Sequence, residues 1–234
     1  MNRNITEDIN KSIAFFNNYN VSDIINDETF KSKYKIVHKK ALGYLITISE
    51  IEKQNQKTNL YTEQALFYLH ESVSDILQSI FLWINGAYKG ASLLLRSSIE
   101  NFIKGNVGIY DATVYTEKSV YKIFDKIKSY PQFQVILSRD SIENELHNLY
   151  VEFCKSTHTA TIAQMDRMGA LNVLPKYEES KSSEYSNNLE KLIDVFLGFF
   201  LANHKNIIDA MYMNNSDIFY EVISQNITRQ IVHA

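Results

Sequence analysis

Two short segments carry residue types at spacings that chemistry can use. The first reads Gly86-Ala-Tyr-Lys-Gly90-Ala-Ser-Leu-Leu-Leu-Arg96-Ser-Ser-Ile-Glu100-Asn-Phe102. On a helix Arg96 and Glu100 stand one turn apart at the border of a face that carries Ala87, Ala91, Leu94 and Ser98. Gly90, Ala91, Ser97 and Ser98 keep that surface small enough for a second helix to approach closely. The second segment, Leu149-Tyr-Val-Glu-Phe-Cys-Lys155-Ser-Thr-His158-Thr159, sets a histidine and a lysine at the end of an amphipathic helix. An imidazole there can move a proton near neutral pH, and the two cations can hold negative charge. Each group also has a plainer reading. Arg96 and Glu100 make an ordinary i,i+4 ion pair, and His158 and Lys155 complement the negative end of the helix dipole.

Stronger signals are absent from the sequence. It has no glycine-rich phosphate loop, no paired-cysteine metal motif, no HExxH helix and no GxSxG elbow. Glu143 and His147 have ligand spacing on a helix, but two groups do not make a metal site, and neither a metal nor a cofactor is implied. Cys154, the single cysteine, rules out a disulfide scaffold and reads as packing, not as a nucleophile. Lys31, Lys35 and Lys39 beside His38 and Lys40 form one basic stripe, and Lys118, Lys122 and Lys126 near Tyr121 and Tyr130 form another. Such stripes hold RNA in some proteins and are the solvated face of an amphipathic helix in many more.

The elements that must position these residues follow from punctuation and period. The chain has 234 residues, 45% of them hydrophobic, but only 7 Gly and 2 Pro, so breakers are scarce and helices run long. After Asp27, an N-cap, the apolar residues Phe30, Tyr34, Val37, Ala41, Tyr44, Ile48 and Ile51 predict a helix to about residue 54. Thr62 opens the next, with Leu66, Leu69, Val73, Ile76, Ile80 and Trp83 inward, up to the break at Asn85-Gly86. The Arg96 helix then runs to about Lys104, where Gly105 is expected to stop it. Further helices are predicted over residues 117–129, 141–157, 188–213 and 217–231, and residues 166–187 are expected to form a flexible loop. No segment alternates long enough to make a strand. Trp83, with Phe81 and Leu82, reads as core or as a dimer seam.

The expected architecture is therefore all-α, a single helical domain over residues 1–234, mostly antiparallel because the connections are short. With 24 Lys+Arg against 27 Asp+Glu the net charge is -3, which excludes a bulk attraction to polyanions and leaves only local patches for nucleic acid. The N-terminus has no continuous apolar core, and no apolar run approaches a membrane span. These features lead to the expectation of a cytoplasmic protein with no membrane partner.

The small-residue helix with Arg96-x-x-x-Glu100, followed by a later helix ending in His158, resembles the HEPN superfamily, in particular its branches in bacterial defence and toxin loci. The resemblance covers residues 62–161 as a HEPN-like core, with extra helices before and after it. It implies a homodimer that binds RNA and cleaves it without a metal. His158 would then be the general base or acid, Arg96 and Lys155 would stabilise the phosphate, and Glu100 would orient Arg96. The family places an Arg four to six residues before its histidine, whereas Glu152, Phe153 and Cys154 stand there in this chain. Lys155, or Arg96 from its own or a partner subunit, would have to supply the cation. The alternative is a non-catalytic helical module for dimerisation or for a partner protein.

Overall fold

The computed structural model describes residues 3–137, 140–158 and 168–232. Its helices are α1 (Arg3–Asn17), α2 (Ser22–Asn26), α3 (Glu28–Thr58), α4 (Glu63–Ile84), α5 (Tyr88–Val107), α6 (Val120–Ile127), α7 (Ile142–His158), α8 (Glu179–Asn203), α9 (Lys205–Asp209), α10 (Met213–Val222) and α11 (Gln225–Val232). Among the described residues, strand is confined to β1 (Ile136–Leu137) and β2 (Asp140–Ser141), which pair antiparallel with Ile136 opposite Ser141. The described residues are all-α but for this two-residue ladder.

Side-chain caps start the long helices where the sequence placed them. The Asp27 carboxylate accepts the Phe30 amide at 2.8 Å, and the Thr62 hydroxyl accepts that of Ala65 at 3.1 Å, so each satisfies an orphan donor of a first turn. α3 continues to Thr58 and ends on Asn59 in the left-handed conformation, φ 47°. Between α4 and α5, Gly86 adopts φ 73°, and a Cβ there would meet the Lys176 carbonyl oxygen at 2.2 Å.

Four expectations about element bounds are corrected. α5 runs through Gly105 to Val107, because that glycine serves close packing: a Cβ on it would lie 2.7 Å from Leu69 Cδ2 of α4. Gly90 faces Leu82 of the same helix at the other end, so α4 is the second helix that the small-residue face admits. The loop expected over residues 166–187 gives way to helix at Glu179. The first turns of α8 turn Ser182, Tyr185 and Ser186 inward, and they are buried as hydrogen-bonding groups: the Trp83 indole donates to Ser182 Oγ at 3.0 Å, and the Tyr185 hydroxyl meets Ser79 Oγ at 2.7 Å. The helix expected over 188–213 ends at Asn203, and the one expected over 217–231 is two, α10 and α11.

Direction within the bundle is mixed. α3 and α4 are antiparallel, with Phe30 against Trp83 and Tyr44 against Ser72, and so are α4 and α5 across the Asn85-Gly86 turn. α8 runs parallel to α3, pairing with it from Lys40 and Asp194 to Tyr44 and Phe196, because the chain travels through α6 and α7 before returning. The buried side chains form one connected cluster. Within it the fully buried Trp83 stacks on Phe30 at 4.6 Å and on Tyr185 at 5.0 Å, while Phe102 stacks on Phe196 at 3.9 Å. Of the two readings given for Phe81, core and dimer seam, the core one does not hold, because the residue is 64% exposed.

Candidate functional site

α5 and α7 meet at Arg96, Glu100 and Tyr150. The Arg96 Nε–H donates to the Tyr150 hydroxyl at 2.6 Å, and that hydroxyl donates to Glu100 Oε1 at 3.1 Å. Arg96 Nε also lies 3.5 Å from Glu100 Oε1, and the guanidinium carbon stands 4.9 Å from the Tyr150 ring centroid. The i,i+4 pair read from the sequence is thus a three-membered cluster, with a phenol from the next layer wedged between cation and carboxylate.

The electrostatics fit that arrangement. Burial first, then the Glu100 carboxylate, raise the Tyr150 pKa far above that of an ordinary phenol, against the opposing pull of Arg96, so Tyr150 stays a neutral donor at all physiological pH. Burial works against the Arg96 charge, but Tyr150, Cys154 and Glu100 outweigh it and raise its pKa. Among the described residues, the hydrogen bonds of Arg96 run through Nε, which leaves the two terminal nitrogens as donors for a ligand.

The polar face continues onto α4. Asn101 Nδ2 donates to Asp75 Oδ2 at 2.8 Å, and Ser97 supplies a second hydrogen bond. Burial raises the Asp75 pKa, and Glu71 and Glu100 add to the rise. Asp75, Asn101 and Tyr150 are the residues that sequence reasoning missed. Tyr150 had a signal, since it is in helical phase with Leu146 and Phe153 and therefore faces inward. Its pairing with Arg96 had none, because the two are far apart in the chain.

His158 closes α7, eight residues beyond Tyr150, or about 12 Å along the axis. Its side chain lies outside the described residues, as do residues 159–167 that follow. Lys155 is not joined to Arg96 by any described contact: its ammonium is bound by Glu152 on the exposed side of α7, a hydrogen bond that raises its pKa. His147 packs edge-on against Phe124, with ring centroids 5.2 Å apart. Among the described residues no three His, Cys, Asp or Glu side chains gather as a metal site. Much of the charge in the two basic stripes is matched by carboxylates, Lys31 by Glu28, Lys39 by Glu221, Lys122 by Glu117 and Lys126 by Asp111. Among the described residues, no helix is long and apolar enough to cross a membrane.

Comparison of the chain with protein-family models, with curated proteins and with solved structures gives no match in any of the three. A functional reading therefore rests on the site itself.

Proposed function

We propose that the chain is a HEPN-like RNA-binding protein of bacterial stress or phage defence, acting in the cytoplasm as a homodimer, and that it cleaves RNA without a metal. The observation that carries this reading is the Arg96–Tyr150–Glu100 cluster at the α5–α7 seam, whose Tyr150 stands on the helix that ends in His158. Arg96 would bind a phosphate through its terminal nitrogens while Glu100 and Tyr150 fix its plane. His158, about 12 Å along α7 from Tyr150 in its own subunit, would take the proton of the adjacent 2'-hydroxyl from across the homodimer. The 2'-oxygen then bonds to phosphorus as the bond from phosphorus to the 5'-oxygen breaks, leaving a cyclic phosphate. The departing oxygen takes a proton from the imidazolium or from water. Lys155, tied to Glu152, would contribute field and not contact.

The test is incubation of the wild type and of His158→Ala with total RNA in excess EDTA, with end-group analysis. Cyclic-phosphate fragments from the wild type alone are expected; cleavage by both proteins would remove His158 from the mechanism.

A second reading, a non-catalytic helical interaction module, is favoured by one observation. Phe67 and Phe81 on α4 are 66% and 64% exposed, and Leu77 on the same helix is 45% exposed. This reading predicts that the wild type leaves RNA intact, and that Phe67→Glu with Phe81→Glu shifts the sedimentation of an assembly.

A further inference from the structure

The basic stripe on α3 is not absorbed by the Arg96 site. It borders a groove of about 320 Å³ between α3 and α10, lined by Tyr34, Lys35, His38, Lys39, Leu42, Ile218, Glu221 and Val222. Small-molecule sites begin near this size, at roughly 300 Å³. The groove lies outside residues 62–161 and shares no residue with the Arg96 cluster.

Its chemistry is graded from floor to lip. Leu42, Ile218 and Val222 make an apolar floor, and Leu42 stays 40% exposed although it lies between two helices. On one wall the Tyr34 and His38 rings stack, centroids 5.6 Å apart and planes 24° from parallel, which presents flat π-surface beside the floor. On the lip stand Lys35 and Lys39. Lys39 is bonded to Glu221 at 2.8 Å, so that carboxylate is already matched, while no ion pair of Lys35 occurs among the described residues. Lys40, with Asp194 at 2.7 Å and Glu190 at 4.0 Å, belongs to the packing with α8 and does not line the groove. Among the described residues, the surplus charge facing the groove is therefore the Lys35 ammonium, one helical turn from Lys39. An apolar floor, an aromatic wall and one unmatched cation at the lip complement a flat apolar body that ends in an anion.

We infer that the α3–α10 groove is a binding site for a small aromatic carboxylate, its ring on the Tyr34–His38 wall above Leu42 and its carboxylate at Lys35.

The test titrates the full chain with 1-naphthoate, followed by the ligand's fluorescence, beside the neutral 1-naphthamide. Saturation by naphthoate below about 1 mM is expected, with naphthamide roughly tenfold weaker and naphthoate affinity falling as salt rises. Lys35→Glu, at an exposed position, should weaken naphthoate about tenfold and leave naphthamide unchanged. Leu42→Gln should weaken both, with the melting temperature showing that each variant is folded. No saturation by the wild type, equal binding of acid and amide, or naphthoate affinity untouched by Lys35→Glu would each overturn the assignment.

Discussion

Two helix junctions in this molecule are each built around a cation and a carboxylate, and they use them to opposite ends. Where α3 meets α8 and α10, Lys40 donates to Asp194 Oδ1 at 2.7 Å and to the Val222 carbonyl at 2.8 Å, and Asp194 Oδ1 also accepts the Ser224 amide at 2.9 Å. The cation thereby meets the last carbonyl of α10, and Glu50, ten residues on in α3, accepts from Asn215 and from the Tyr212 amide at the other end of that helix. Opposite charges on α3 thus complement both ends of the α10 dipole. The side chains are 8% and 14% exposed in the Lys40–Asp194 pair, against 23% and 26% in the Arg96–Glu100 pair. The first junction spends its donors on the chain itself. The second keeps guanidinium N–H groups at a partly open surface. The difference separates charge that holds the fold from charge available to a ligand.

The largest break should come from Lys40→Met. It strands Asp194 in a low-dielectric junction, and a loss of about 3–5 kcal/mol is expected, or a melting temperature lower by roughly 10 °C. Adding Asp194→Leu should restore part of the loss, and a double variant no better than the single would contradict the pairing.

The buried His204 sharpens the comparison from the side of pH. Its Nε2 meets the Tyr61 hydroxyl at 3.0 Å while that hydroxyl donates to Asn106 at 2.9 Å, so Nε2 carries a hydrogen and donates it. Burial pushes its pKa down to about 4 from an ordinary value of 6.5. The unfolded chain therefore binds the proton first. The stability that neutral His204 contributes is complete above pH 6.5, is lost as pH falls towards 4, and amounts to at most about 3 kcal/mol. Urea unfolding at pH 7.5 and 4.5 should show a steeper loss for the wild type than for His204→Gln, and parallel losses would refute it.

A smaller effect is expected at Gly43, whose added Cβ would lie 2.6 Å from Val222 Cγ1. Gly43→Ala should cost about 1–3 kcal/mol by pushing α10 off α3, and Val222→Ala should relieve it in a double-mutant cycle. The smallest change in stability belongs to the open junction: Tyr150→Phe removes one hydroxyl and should cost about 1 kcal/mol by thermal melting.

What the sequence discloses and what it hides divide along the same line. α3 and α4 were legible because Asp27 and Thr62 cap them and because Phe30, Val37, Tyr44, Ile48 and Ile51 repeat at helical spacing. The start of α8 was hidden, since Ser182 and Ser186 are buried by hydrogen bonding and read as loop residues in a pattern of polarity alone. The Arg96–Glu100 spacing was legible as a local pair. Tyr150, which turns the pair into a cluster, is placed by the packing of α7 on α5, and no local pattern encodes that contact. Lys155 shows the converse: its spacing from His158 made it a candidate, and a carboxylate one turn back, Glu152, binds it instead.

The most direct test removes one cation from each junction and reads both properties in each variant. Arg96→Gln and Lys40→Met would be measured beside the wild type for RNA cleavage in EDTA, below the melting temperature of each, and for thermal unfolding. Arg96→Gln is expected to lose about 100-fold or more in cleavage while melting within roughly 3 °C of the wild type, and Lys40→Met to melt far lower yet cleave at the wild-type rate. Cleavage untouched by Arg96→Gln, or a wild type that leaves RNA intact, would contradict this expectation.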